Sequence, residues 1–402
     1  MDPPPARPAV EDLQAYSAPL EGRRGLLRLD FNENTVGPSP KVVEAIRAIP
    51  ADHYAIYPEY DGLREAVIAA LKVTPGAGPH PAPAAASASL RLEQIGLFNG
   101  VDAAIHALFQ AYGAGGDRLL TTSPTFGYYT PCARMQGMAI EAIPYRLPHF
   151  AFPLEEIRAA LLGNAPRLLL LCNPNNPTGT RLDPQRILEL AAAAPQTLVV
   201  VDELYEAFTG DSVLPLLLGA AGAGTAAAAG ATELEGGRRA ADPFAAFPNL
   251  LVLRSLSKTA GIAGLRIGFA IGHAAVVDRI SRVTGPYDIN SFAVTAAFAA
   301  LADQPYVEAY VAEVLNARDW LVERLLEAGV RHHVAGGNYL LLWPERDPEA
   351  VDAALRAAGI LVRSMAGKPL IDGSLRVSIG TREQMARFWQ VYADIALGGI
   401  TA

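Results

Sequence analysis

Apolar and polar positions alternate along this chain at two different periods. Between residues 94 and 271, short apolar runs suited to strands are separated by stretches with helical spacing. The predicted strands are Gln94–Phe98, Arg118–Thr121, Ala139–Ile143, Leu168–Cys172, Thr197–Val201, Leu250–Arg254 and Ile267–Ile271. The intervening pattern predicts helices over Asp102–Tyr112, Tyr128–Gln136, Leu154–Leu162 and Pro184–Ala193, with two more upstream at Lys41–Ile49 and Leu63–Leu71. Runs such as 168–172 and 198–201 are apolar at every position, as expected of strands covered on both faces. Strands alternating with helices imply an α/β fold with a mostly parallel, seven-stranded sheet between helices.

The rhythm changes towards the C-terminus. A long helix is predicted over Tyr306–Ala328, then strand Tyr339–Trp343, helix Val351–Ala358, and strands Ile360–Arg363 and Leu375–Ile379. That order predicts a smaller α+β domain. The expected division is an N-terminal arm over residues 1–29, a large domain over 30–286 and a small domain over 287–402, with 30–50 free to pack against the small domain. Two low-complexity tracts, 74–89 and 214–242, are rich in Ala, Gly and Pro or Ser and read as surface insertions.

Composition narrows the classes. A net charge of −8 argues against a nucleic-acid or anionic-membrane surface. Residues 213–232 have spanning length without charge, but Ala and Gly make them too weakly apolar for a membrane helix. The N-terminus lacks the apolar core of a signal peptide. Two distant cysteines, Cys132 and Cys172, form no metal or redox spacing, and no metal site is expected; both points fit a reducing cytoplasm. Lysine occurs only four times, at 41, 72, 258 and 368, so each one invites a question.

Four segments at predicted strand ends carry candidate chemistry, where open α/β sheets bind ligands. In LLLLCNPNNPTGT (168–180) a buried strand enters an Asn/Pro/Gly turn; Asn176 there can donate to a ligand, although the dipeptides alone describe a plain turn. In LVVVDELYEAF (198–208) a strand ends in Asp202 and Glu203, with Tyr205 beyond. A carboxylate so placed needs a partner, and a cationic ring nitrogen serves as well as a helix N-terminus. The sharpest segment is LRSLSKTAGIAGLRIGFAIG (253–272). Ser255, Ser257 and Arg266 suit a phosphate dianion, and Lys258 among cations suits an imine-forming nucleophile. In FNGVDAAIHALF (98–109) a strand passes through Gly100 into a helix whose first N–H groups, near Val101 and Asp102, form an anion site; Asp102 as a simple cap is the alternative. A dehydrogenase would need G-x-G-x-x-G after a strand; YGAGGDR (112–118) follows a helix and lacks the spacing.

Together, in this order, the segments resemble the fold-type I aminotransferases, which depend on pyridoxal 5'-phosphate, and within them the histidinol-phosphate aminotransferase family. The resemblance runs from LDFNENTVGPSP (29–40) to LRVSIGTREQM (375–385). It implies that Lys258 carries the cofactor and moves the substrate proton, that Asp202 pairs with the pyridine nitrogen, and that Tyr205 and Asn176 bond the phenolate oxygen. It further implies phosphate contacts from Ser255, Ser257, Arg266 and the backbone at Val101 and Asp102, and an aromatic face from Phe126 in SPTFGYY. Tyr57 in IYPEYDG matches a tyrosine that reaches the neighbouring subunit's phosphate, which implies a homodimer with shared sites. Arg376 in SLRVSIG matches the substrate-carboxylate arginine, Arg363 and Tyr16 match contacts to a distal phosphate, and Asn34 with Asn32 is expected to shape the pocket, structuring of their own loop being the alternative. The implied reaction is amino transfer from histidinol phosphate to 2-oxoglutarate. An aromatic or other amino-acid donor is the runner-up, and decarboxylation of a phosphorylated amino acid a third reading. A non-catalytic relative is expected to lack the lysine or the acid, and both are present.

Overall fold

The computed structural model describes residues 3–11, 13, 21–71, 90–220 and 241–398. The tract 74–89, residue 16 and most of the tract 214–242 lie outside the described residues.

Seven strands form the main sheet: β1 (Ile95–Phe98), β2 (Arg118–Ser123), β3 (Ala139–Pro144), β4 (Leu168–Cys172), β5 (Leu198–Asp202), β6 (Leu250–Ser255) and β7 (Gly268–Gly272). Their order across the sheet is β1-β7-β6-β5-β4-β2-β3, and β7 alone runs antiparallel to its neighbours. The central strands β4 and β5 are buried at every position, which explains their unbroken apolar runs. One face packs on helix Val101–Tyr112 and its neighbours through Ile105, Leu108, Leu170 and Val200. The other packs on Leu63–Leu71 and Pro184–Ala193 through Val67, Ile187, Leu169 and Val199.

The smaller unit is a four-stranded antiparallel sheet in the order Arg363–Ser364, Leu375–Ser378, Tyr339–Trp343, Arg331–His333. Helices Gln304–Glu327, Pro348–Ala357 and Arg382–Ala396 supply Leu321, Leu355 and Phe388 to its core. The last helix starts from a capping box in which Thr381 and Gln384 satisfy each other's backbone N–H.

Three expectations change. Helix Ser291–Ala302, expected in the small domain, buries Ala293, Val294, Ala296 and Ala297 in the main-sheet core, so the packing does not break at residue 287. The chain before residue 30 does not form a separate arm throughout. Leu27–Arg28 pairs in parallel with Ile360–Leu361, and Leu27 and Leu29 enter the small-domain core. The tract 214–242 does not begin as a surface insertion: Leu214–Ala220 is a helix with Leu214 and Leu217 buried against the sheet. Three consecutive leucines over a turn of helix hold that segment down by apolar burial. Among the described residues, no helix is long and apolar enough to cross a membrane.

Candidate active site

The carboxyl ends of β4, β5 and β6 lie side by side, and each delivers one of the sequence motifs. Cys172 at the end of β4 is in register with Asp202 at the end of β5. β6 ends at Ser255, three residues before Lys258. The turn into β7 brings Arg266 back to the same edge, beside Gly100 at the start of helix Val101–Tyr112.

Asp202 is 2% exposed. Its Oδ2 accepts the Tyr129 hydroxyl at 2.5 Å and its Oδ1 accepts the Leu204 backbone N–H at 3.2 Å. Burial pushes its carboxyl up to about 6, against the pull of the two donors. Tyr129 is a site residue that the sequence does not single out. A buried carboxylate demands donors, but nothing local says which tyrosine of FGYY supplies one.

Beneath Asp202, Glu203 takes Arg254 Nε at 2.9 Å, the Ser212 hydroxyl at 2.8 Å and the Val213 N–H at 2.9 Å. This network ties the ends of β5 and β6 together. The Asn175 side chain does the same between the β4 turn and the segment carrying Phe126: it donates to Pro124 O at 3.0 Å and accepts Thr125 Oγ1 at 2.7 Å.

Lys258 Nζ donates to Phe31 O at 3.0 Å. Its side chain keeps some exposure but is surrounded by protein, and this desolvation, with the Arg376 guanidinium nearby, lowers its ammonium to about 8. Tyr205 Oη accepts Asn176 Nδ2 at 3.2 Å and Asn32 Nδ2 at 3.1 Å. Arg376 Nη1 donates to Asn176 Oδ1 at 2.7 Å, and Nη2 to Asp30 O at 2.5 Å. Asn176 therefore links Tyr205 to Arg376. The loop 30–34 touches Lys258, Tyr205 and Arg376, and Arg23 clamps it through Asp30 at 2.7 Å and Glu33 at 2.9 Å. Asn32, at φ 54°, is further fixed by Ser378 Oγ, which its N–H reaches at 2.8 Å.

Of its two expected roles, Asn34 takes the loop-structuring one and is not placed as a substrate ligand. Its Nδ2 donates to Thr259 O at 2.8 Å and its Oδ1 accepts the N–H groups of Val36 and Gly37, so it braces the loop next to Lys258 instead of facing substrate. Phe126 lies at the site, edge-on to Tyr129 with ring centres 5.4 Å apart. Arg363 stands opposite Arg376 on the adjacent strand, with its guanidinium 5.6 Å from the Phe31 ring. Tyr57 is not brought to this cluster: it is 71% exposed and stacked on Tyr287 at 4.1 Å. Tyr16 lies outside the described residues.

The phosphate-type cradle is tight. Ser255 Oγ and Ser257 Oγ are 2.8 Å apart, and Arg266 pairs with Asp102 at 2.9 Å. A Cβ on Gly100, whose φ is +79°, would lie 2.4 Å from Arg266 Nη2, and one on Gly268 would lie 2.6 Å from Val101 N. Both positions therefore need glycine so that helix start, arginine and strand can converge.

The model for "Aminotransferase class I and II" matches residues 24–391. This chain is a class I and II aminotransferase. The histidinol-phosphate aminotransferase of Roseiflexus castenholzii is 32% identical to it, over 97% of this chain and 98% of that one. The Sinorhizobium meliloti histidinol-phosphate aminotransferase, solved in complex with pyridoxal-5'-phosphate, has a TM-score of 0.77 at 22% identity and covers 98% of each chain. An L-threonine-O-3-phosphate decarboxylase from Porphyromonas gingivalis shares the fold, with a TM-score of 0.71 at 21% identity over 92% of this chain and 99% of that one. The aminotransferase uses pyridoxal 5'-phosphate, whose protonated ring draws electrons from the substrate α-carbon. The residues present fit that group. Asp202 is a buried acid whose described bonds come from neutral donors, Lys258 is an amine with a lowered proton affinity, and the glycine-lined cradle offers hydroxyls, a guanidinium and a helix start to a dianion.

Proposed function

We propose that this aminotransferase moves the amino group of histidinol phosphate to 2-oxoglutarate, giving imidazole acetol phosphate and glutamate. The observation that carries the reading is the pairing of Arg363 with Arg376 on neighbouring strands beside Lys258. Histidinol phosphate bears a phosphate monoester where glutamate bears its α-carboxylate. Two arginines in register on neighbouring strands can accept either anion, the doubly charged one most strongly. The names of the relatives point the same way.

In this reading Lys258 carries the cofactor and transfers the proton at the substrate α-carbon. Asp202 pairs with the ring nitrogen, and Tyr205 and Asn176 hold the phenolate oxygen. Ser255, Ser257, Arg266 and the N–H groups at Val101 and Asp102 take the phosphate, and Phe126 covers one ring face. Tyr57, exposed beside Tyr54, Ile56 and Tyr287, reaches the phosphate of a second copy, so the working unit is a homodimer. Small polar substrates and two free, buried cysteines suit a reducing cytoplasm.

Steady-state kcat/KM for a panel of donors tests the reading. Histidinol phosphate should exceed histidinol, which lacks the anion, by about ten- to a hundredfold, the worth of a charge-assisted anion contact, and should exceed phenylalanine and tyrosine, whose carboxylate meets the same arginines, by a smaller factor. Equal rates with histidinol would refute the phosphate role of the arginine pair.

A further inference from the structure

We infer that Tyr129 is a positioning residue for amino transfer: its hydroxyl holds the Asp202 carboxylate ionised and in place for the cofactor ring nitrogen. The inference rests on the reading that Asp202 meets that nitrogen. Tyr129 is the first residue of helix Tyr129–Met135, is fully buried, and approaches Asp202 Oδ2 at 2.5 Å. That is the length of a charge-assisted O–H···O⁻ bond. The other oxygen is held by Leu204 N–H at 3.2 Å, so both ends of the carboxylate are fixed and it cannot swing. An ionised carboxylate still has lone pairs left for a third donor.

The kind of donor matters. A lysine or arginine at position 129 would neutralise Asp202 and compete with a pyridinium. A phenol stabilises the anion and leaves its full negative charge for the ring. This offsets burial, which otherwise favours the protonated, useless form of the acid. The same tyrosine ring meets Phe126 edge-on, at 5.4 Å between centres and 79° between planes. One side chain thus braces both the residue that covers the ring face and the residue that meets the ring edge.

A double-mutant cycle separates the hydroxyl from the packing. Pyridoxal phosphate is titrated into the full-length apoprotein of wild type, Tyr129→Phe, Asp202→Asn and the double variant, and the dissociation constant is read from absorbance. Tyr129→Phe keeps the ring and its contact with Phe126, and thermal melts check that each variant is folded. With Asp202 present, Tyr129→Phe should weaken cofactor binding about tenfold, the worth of one hydrogen bond to a charged group. In the Asp202→Asn background the same change should cost twofold or less. In amino transfer, Tyr129→Phe should lower kcat while KM for the donor stays within about twofold, because the substrate-binding arginines are untouched. Equal losses in both backgrounds would overturn the inference alone and reduce Tyr129 to a packing residue. An Asp202→Asn protein with wild-type affinity and turnover would instead overturn the role of Asp202, and the inference with it.

Discussion

Replacing Arg376 by alanine should damage both halves of the reaction. Arg376 is 8% exposed on strand Leu375–Ser378, and its two terminal nitrogens already reach Asn176 at 2.7 Å and Asp30 O at 2.5 Å. Its fork is therefore held in one orientation before any substrate arrives, and little side-chain entropy is left to lose. A substrate anion meeting it gains two charge-assisted hydrogen bonds, each worth about 1.5–3 kcal/mol, so their loss lowers kcat/KM by roughly two to four orders of magnitude. Arg376→Lys keeps the charge without the fork and should recover only part of this. The assay is kcat/KM measured separately for histidinol phosphate, glutamate and 2-oxoglutarate. If, as proposed, a single arginine serves donor and acceptor in turn, all three values should fall together. A loss confined to one of them would refute the shared anion site, and near-normal values for all would remove Arg376 from the site altogether.

Two further outcomes are expected. Burial and the nearby Arg376 lower the Lys258 ammonium to about 8, so the reactive neutral amine is populated above that pH. The rate at which apoprotein takes up pyridoxal phosphate should therefore climb with pH through about 8, and a midpoint near the ordinary lysine value, about 10.4, would contradict the desolvated site. Leu217 is 2% exposed, so Leu217→Ala should cost about 2–4 kcal/mol in denaturant unfolding, and a change below about 0.5 kcal/mol would return its helix to a dispensable insertion.

Most of the sheet is legible in the sequence because its strands are buried on both faces and bounded by turn residues. Leu168–Cys172 and Pro184–Ala193 coincide with their predicted spans, the helix marked by Asp183 and Pro184 at its start. Helix Ser291–Ala302 shows why others are not. It is apolar nearly all round, SFAVTAAFAALA, so it has no polar face from which a period can be read. The Leu214–Ala220 helix is masked by the Ala/Gly composition that follows it. In the site, motif residues at strand ends converge as their spacing implies, since the sheet places neighbouring strand ends together. The partners that orient them come from distant segments: Tyr129 to Asp202, Asn32 to Tyr205, Phe31 O to Lys258, the last across 227 positions. Such contacts leave no local pattern. Asn34 shows the converse, for a polar residue in a motif proves to be bonded wholly within its loop and to Thr259.

Visible absorbance of the cofactor-loaded protein reports whether Lys258 and pyridoxal phosphate carry out amino transfer from histidinol phosphate. A band should be present that is lost on adding histidinol phosphate, returns on adding 2-oxoglutarate, and is missing from the Lys258→Ala variant. A Lys258→Ala protein that shows the same band and the same response would contradict that role of Lys258.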